Sequence, residues 1–319
     1  SELLIQLDTD EYSFSSKIAS YETLKKSNSD RFQYVLPSYN FSKNFFFEKL
    51  NGSLNFGSEG NNTLKNTNQV ETNLINNFNY RFFDTYTEKG IVNEFNIYLK
   101  NLNSVGKNSL LYKNSPQSEI MSVYSYGASF PLIKKNITST STFEPKLLFQ
   151  FSPHQMKNHA KASSRLSMSN IYTVTRMGVR DSFEQGKSVA LGFDYKIEKD
   201  QVAEKNNFID GKITETRDYI DFKIATVLRE NREKNISRKS SLNQKSSNIV
   251  GEFNYLHSKH LNFSYEFSMD NDLNTLEYSS MNVDFSFNNF STNIKFLEEN
   301  GKIGTSNVLS SIYQYKFDD

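Results

Sequence analysis

The sequence predicts an all-β fold: an antiparallel transmembrane β-barrel, with about sixteen strands. Three observations predict it. In the run Leu261–Met269, residues Leu261, Phe263, Tyr265, Phe267 and Met269 are apolar, and Asn262, Ser264, Glu266 and Ser268 between them are polar. A strict period of two puts one kind of side chain on each face of a strand. Composition agrees. Only 36% of the 319 residues are hydrophobic and the mean hydropathy is -0.63, yet 14% are aromatic, all of them Phe or Tyr. Soluble domains are roughly 45–50% apolar and disordered segments are poor in aromatics, so half-apolar strands satisfy both values. Finally, no apolar run nears the ~18 residues of a membrane helix, whereas a barrel strand needs only ~9–11 alternating residues.

Taken along the chain, residues 18–27 hold the best helical periodicity, and the stretch is short enough to read as a strand with a loop. Strands follow at 50–57 (Leu50, Leu54, Phe56), 70–83 (Val70, Leu74, Phe78, Tyr80, Phe82), 91–99 (Ile91, Phe95, Ile97, Leu99) and 122–132 (Tyr124, Tyr126, Ala128, Phe130, Leu132). Next come 143–151 (Phe143, Leu147, Phe149, Phe151), 188–198 (Val189, Leu191, Phe193, Tyr195, Ile197), 218–228 (Ile220, Phe222, Ile224, Leu228) and 249–256. After 261–269 the pattern continues at 277–287, 290–297 and 307–317. Tight turns at 258–260 and 288–289 alternate with longer connections at 229–247, 271–275 and 298–305, as in outer-membrane barrels. The long connection 199–216 falls where a short turn is due. Either its flanking strands run further or the alternation of sides slips there.

The apolar face is rich in Phe and Tyr, where a soluble sandwich would use Val, Ile and Leu. Phe193, Tyr195, Phe263, Tyr265, Phe285 and Phe296 are expected on the convex, lipid-facing side, with Asp194, Glu266, Asp284 and Lys295 on the concave side. A porin or a receptor barrel remains an alternative, as does a soluble β-rich structural protein. Neither a receptor's plug domain nor a porin's constriction loop is visible, and no fixed repeat period appears.

A net charge of +1 gives no field for nucleic acid. There is no cysteine, hence no thiol chemistry. His154, His159, His257 and His260 lack the spacing of a metal site and read as solvated. No catalytic constellation, metal site or cofactor motif emerges, so an enzyme is not expected. The densest basic stretch is Arg229, Arg232, Lys234, Arg238, Lys239 and Lys245. It is either a solvated loop or a surface for the phosphates of an anionic glycolipid, diluted by Glu230 and Glu233.

Four segments, in order, resemble the lipopolysaccharide-assembly outer-membrane protein family, LptD. Tyr34-Val35-Leu36-Pro37-Ser38-Tyr39 resembles that family's early Leu-Pro strand, and Phe143-Glu144-Pro145-Lys146-Leu147 its Leu-Glu-Pro-Arg-Leu strand. Ile171–Gly192 resembles its most recognisable stretch. Arg176, Asp181, Glu184 and Gly186 fall in place, and Thr175, Met177, Gly178, Val179 and Ser182 depart. Ser241-Leu242 with Ser247-Asn248-Ile249-Val250-Gly251 resembles a later element, with Asn248 for its Asp.

The resemblance implies a large barrel that receives lipopolysaccharide from an LptA-like periplasmic bridge and releases it into the outer leaflet of the cell outer membrane. It also implies an LptE-like plug lipoprotein in the lumen. Residues 1–319 are then expected to be one barrel segment. The family's jellyroll domain, which meets the bridge, its first strands and its final strands lie outside that segment. The absence of cysteine leaves no place for the inter-domain disulfides of some members. Arg176, Asp181 and Glu184 are expected to form an ionic cluster that, with Gly186, shapes the loop between the strands ending near Thr175 and starting near Lys187. Arg229, Arg232, Lys234, Arg238 and Lys239 are the candidate phosphate contacts.

Overall fold

The computed structural model describes residues 1–23, 31–65, 68–199, 218–257 and 260–317. Among the described residues seventeen strands make one antiparallel sheet: β1 (Glu2–Asp8), β2 (Tyr12–Glu22), β3 (Phe32–Phe47), β4 (Gly52–Lys65), β5 (Gln69–Phe82), β6 (Thr85–Tyr86), β7 (Val92–Lys107), β8 (Gln117–Ser129), β9 (Leu132–Lys135), β10 (Ser139–Ser152), β11 (Gly186–Lys199), β12 (Tyr219–Arg229), β13 (Ile249–His257), β14 (Leu261–Met269), β15 (Leu276–Phe287), β16 (Phe290–Glu299) and β17 (Ser306–Tyr315). Every long strand pairs with its neighbours in the chain. The two short ones, β6 and β9, add to β7 and β10, while β5 pairs past β6 with β7 and β8 pairs past β9 with β10. Among the described residues β1 pairs with β2 and β17 with β16, and the sheet does not close between those edges.

The alternation sorts the two faces. One cross-strand row reads Phe143, Tyr195, Phe222, Phe253, Tyr265, Met281, Phe296, Leu309 from β10 to β17. The next row reads Glu144, Asp194, Lys223, Glu252, Glu266, Ser280 over β10 to β15. Oil and charge thus stay on opposite sides, because one residue of slip would invert a whole strand. Asp284 and Lys295 share the charged face, and Phe193, Phe263 and Phe285 the apolar one. Aromatic contacts run between neighbouring strands on the apolar side, Phe41–Phe56–Phe78 and Phe143–Phe193–Phe222 among them.

Two proline motifs sit where a missing N–H costs nothing. Leu36-Pro37 occupies a bulge, where the register of β3 shifts against β2 and β4 between Val35 and Ser38. Pro145 falls between the end of the β8 pairing at Lys146 and the start of the β9 pairing at Phe143.

The hairpins divide into two rims. Connections 108–116, 153–185, 230–248, 270–275 and 300–305 lie at one rim, and 9–11, 48–51, 83–91, 130–138, 258–260 and 288–289 at the other. The alternation does not slip at the suspect connection. β11 extends to Lys199 and pairs with β12 without a break from Ser188↔Arg229 to Glu198↔Tyr219. Residues 200–217 between them lie outside the described residues.

Candidate functional site

The connection 153–185 has no regular structure, yet it is where the core sits. Met156, Leu166, Ile171 and Met177 bury themselves against Leu148, Ala190, Ala225, Val227 and Val250 of β10 to β13. Val174 and Phe183 pack on Ile75, Leu102, Met121 and Val123 of β5, β7 and β8. Arg180 reaches Glu59 of β4, and Arg165 stacks on Tyr278 of β15 and meets Glu266 of β14. One segment therefore touches the charged face of the wall from β4 to β15. The wall must curl around it, which makes that face the lumen. Gly192 provides the room: a Cβ there would lie 2.5 Å from the Tyr172 hydroxyl and 2.2 Å from the Ile224 carbonyl oxygen.

At the root of this segment, Arg176 is fully buried and donates from Nε and Nη2 to the two oxygens of Glu184, each at 2.7 Å. Nη2 also donates to Ser188 Oγ at 2.6 Å. Glu184 takes a second guanidinium, from Arg229, whose Nη2 donates to the Gln185 carbonyl at 2.6 Å. Ser188 and Arg229 are register partners on β11 and β12, so the strand pairing itself aims Ser188 at Arg176 and Arg229 at Glu184. Burial alone lowers the Arg176 pKa, and the two-point contact with a carboxylate opposes that and keeps the pair charged. Gly186, at φ +88°, turns the chain from Glu184 into β11, a conformation a side chain rarely adopts.

Asp181 is not at this pair. It faces His159, whose Nε2 lies 3.0 Å from Oδ1, an ion pair when the ring is protonated. Burial raises the Asp181 carboxyl, but the hydrogen bond and charge of His159, with Lys157 behind, outweigh it and hold it below the usual carboxylate range. Burial and the charges of Asp181 and Glu71 push the Tyr112 hydroxyl up to about 12. The backbone N–H of His159 donates to Asn235 at 2.8 Å, so this corner joins three connections of one rim.

The connection 230–248 is half interior. Ile236, Ser237, Ser240, Ser241, Leu242, Ser247 and Asn248 are buried. Ser241 Oγ accepts the Asn248 N–H at 2.8 Å, and Ser247 Oγ accepts the Val227 N–H at 2.9 Å. The Asn248 amide donates to Ser268 Oγ at 3.0 Å and to Glu277 Oε2 at 2.7 Å. Gly251 must be small because a Cβ would lie 2.3 Å from the Phe267 ring. Ser237 Oγ ties this connection to the first through the Ala162 carbonyl at 2.5 Å.

Between the two connections lies a cavity of about 460 Å³ lined by Arg232, Lys234, Arg238 and Lys239 beside Ala160–Ala162. None of these four cations has an ion-pair partner among the described residues. The nearby acids are occupied elsewhere, Glu233 on the Asn235 N–H and Glu230 on Lys187. Arg229 stands apart from this group. It ends β12, is buried, and spends its guanidinium on Glu184 and Gln185. The arrangement is suited to holding anions and positions no nucleophile beside a base.

The description LptD, LPS transport system D, belongs to a family whose pattern matches residues 3–314. The chain belongs to the LptD family. No curated protein matches it. LptD proteins act in lipopolysaccharide transport and assembly at the outer membrane, which agrees with a wall whose apolar face can meet lipid. Among the family-like segments, Arg176, Glu184 and Gly186 come together at the root of the luminal segment, and Asp181 serves its other side. Sequence reasoning missed Tyr112, His159, Tyr172 and Glu277. His159, read from the sequence as solvated, is instead largely buried beside Asp181, because the packing of the luminal segment that covers it leaves no local signal.

Proposed function

We propose that this chain forms part of the outer-membrane wall through which lipopolysaccharide is inserted into the outer leaflet, with the rim bearing 153–185 and 230–248 facing outward. Long outer loops and short periplasmic turns are the usual arrangement. The cations Arg232, Lys234, Arg238 and Lys239 would meet the phosphates of the lipid, and Arg176, Glu184 and Gly186 would hold the luminal segment in place, with Asp181 pinning its far side. One observation carries the reading: four cations unpaired among the described residues share a cavity between the two luminal connections of an LPS-transport family member. Arg and Lys are the natural phosphate binders. The remaining lumen is polar enough for an LptE-like lipoprotein, and an LptA-like bridge would supply the lipid from the periplasmic side.

The test is a quadruple change of Arg232, Lys234, Arg238 and Lys239 to Gln in the full-length protein. Surface lipopolysaccharide should fall while the barrel still assembles. Unchanged surface lipid would remove the cavity from the transport path.

A further inference from the structure

The apolar belt on the outward face of the wall differs in height from strand to strand. On β11 it runs through Val189, Leu191, Phe193, Tyr195 and Ile197, a stretch of nine residues closed by Lys187 and Lys199. Phe143 to Phe151 on β10 and Leu261 to Met269 on β14 are belts of the same length. Such a length matches the ~9–11 residues of a strand that spans a bilayer. On β7 the belt is only Phe95, Ile97 and Leu99, on β5 Phe78, Tyr80 and Phe82, and on β4 Leu54 and Phe56. These strands are nonetheless long, at 14 to 16 residues.

A ladder of amides and hydroxyls takes the place of the missing belt. Ile75 and Leu102 pack on Val174 and Phe183 inside the lumen, so Asn76, Asn101 and Asn103 beside them in the chain face outward. The Tyr39 hydroxyl lies 3.1 Å from Ser58 Oγ, which donates to Asn76 Oδ1 at 2.8 Å. Asn76 and Asn103 both donate to Asn101 Oδ1, at 3.3 and 2.7 Å, and Asn101 donates to Ser118 Oγ at 3.4 Å. Among the described residues the ladder uses one of the two amide hydrogens of each Asn. The other would go unmet in hydrocarbon, where every unpaired polar group is costly. Just beyond the ladder lies a groove of about 300 Å³ lined by Thr72, Leu74, Asn103, Gln117 and Ser118. Asn76 and Asn101 stand six residues from the short-turn ends of their belts, at Phe82 and Phe95, and Leu191 stands six from the same end of the β11 belt, at Ile197. Two strands therefore present an amide at the depth where another presents a leucine.

We propose that the outward face of β4, β5 and β7 beyond Phe56, Phe78 and Leu99 meets lipid headgroups and water, and that the leaflet on the rim of the long connections is thinned beside it. A belt shorter than the hydrocarbon is accommodated by thinning the bilayer. The shortfall of about four residues on β5 and β7 corresponds to ~10 Å of depth on a tilted strand. With that rim outward, as proposed above, the thinned leaflet is the one that receives the lipopolysaccharide.

The experiment places a fluorescent amino acid in the full-length protein at Leu74 or at Val189, each eight residues from the short-turn end of its belt and neither in the ladder. The protein is reconstituted in phosphatidylcholine vesicles whose acyl chains are brominated near the glycerol end. Quenching by the bromines should be several-fold weaker at 74 than at 189, and aqueous iodide should reach 74 alone. Equal bromine quenching at both sites would overturn the thinning, as would a residue at 74 that neither quencher reaches. Ser58→Leu, Asn76→Leu and Asn101→Leu together lengthen the belt without touching the luminal segment, and should raise bromine quenching at 74 to the level seen at 189. Unchanged quenching in that variant would show that the ladder does not set the boundary. Weak bromine quenching at 189 as well would sink the lipid-facing reading of the wall, and the thinning with it.

Discussion

Glu184 accepts from Nε and Nη2 of Arg176 at 2.7 Å, and Arg176 has no exposed surface at all. The pair closes the base of a segment that crosses the lumen from β4 to β15. Two charges taken out of water are tolerable only when their hydrogen-bonding groups are met, and here Ser188 takes a further N–H of Arg176, the Ile171 carbonyl lies 3.5 Å from Nη1, and Arg229 adds a second donor to Glu184.

Arg176→Ala leaves a buried carboxylate with one guanidinium in place of two. The cost should approach the ~3–5 kcal/mol of a broken buried pair. Arg176→Lys should rescue little, because an ammonium cannot make the two-point contact. Urea unfolding of the detergent-solubilised barrel checks this, together with heat-modifiable gel migration for assembly in cells. An unchanged unfolding midpoint for Arg176→Ala would count against the clamp.

The wall was legible because its signal is simple. Alternation in 188–199, 219–229 and 261–269 reports two solvents on two faces. It faded where strands outrun the apolar belt. β4 and β7 continue through Asn61–Lys65 and Asn101–Lys107, where polar residues occupy both faces although pairing persists. β1 was missed because Leu3, Leu4 and Ile5 follow one another without alternation. The luminal segment was illegible for another reason: Met156, Leu166, Ile171 and Met177 follow no period, and their burial depends on a surface assembled from the four strands β10 to β13. Resemblance singled out Arg176, Asp181 and Glu184 together. Only the fold separates Asp181, because His159, which pairs with it, lies on the far side of the segment.

Gly192→Val should eject the Tyr172 ring from the lumen wall. The added carbon would meet the Tyr172 hydroxyl, the Ala225 Cβ and the Ile224 carbonyl, all within 2.5 Å. The Tyr172 ring can swing aside while the Ile224 carbonyl stays close, so the variant loosens the insertion and also strains the β11–β12 pairing. Limited proteolysis should then cut within 160–175 in the variant and spare the parent. Equal protease resistance would show that the contact does not hold the segment.

Tyr195 sits mid-row on the apolar face, between Phe143 and Phe222. Tyr195→Lys should cost roughly 2–4 kcal/mol on folding into lipid vesicles if that row lies near the bilayer midplane, and less toward an interface. Ser264→Lys, on the luminal face three strands further on, should cost far less. Folding yield into vesicles, titrated with urea, measures both. Equal penalties would mean that the two faces do not see different solvents.

Asp181 gives the acid limit of the luminal segment. Its carboxyl is held below its ordinary value of about 3.9 by His159, against the opposing effect of burial. A lowered folded-state pKa contributes stability that is fully present above that unfolded value and is lost as pH falls through the folded one. The corner joining His159, Asn235 and Tyr112 should therefore stay closed from neutral pH down to about 4 and open only below it. Hydrogen exchange at 157–162 and 179–182, corrected for the intrinsic effect of pH on exchange, reads this directly. Asp181→Asn should lower protection at neutral pH and flatten the acid transition. If the parent loses protection well above pH 4, some other group sets the limit and the His159–Asp181 contact is not what closes the corner.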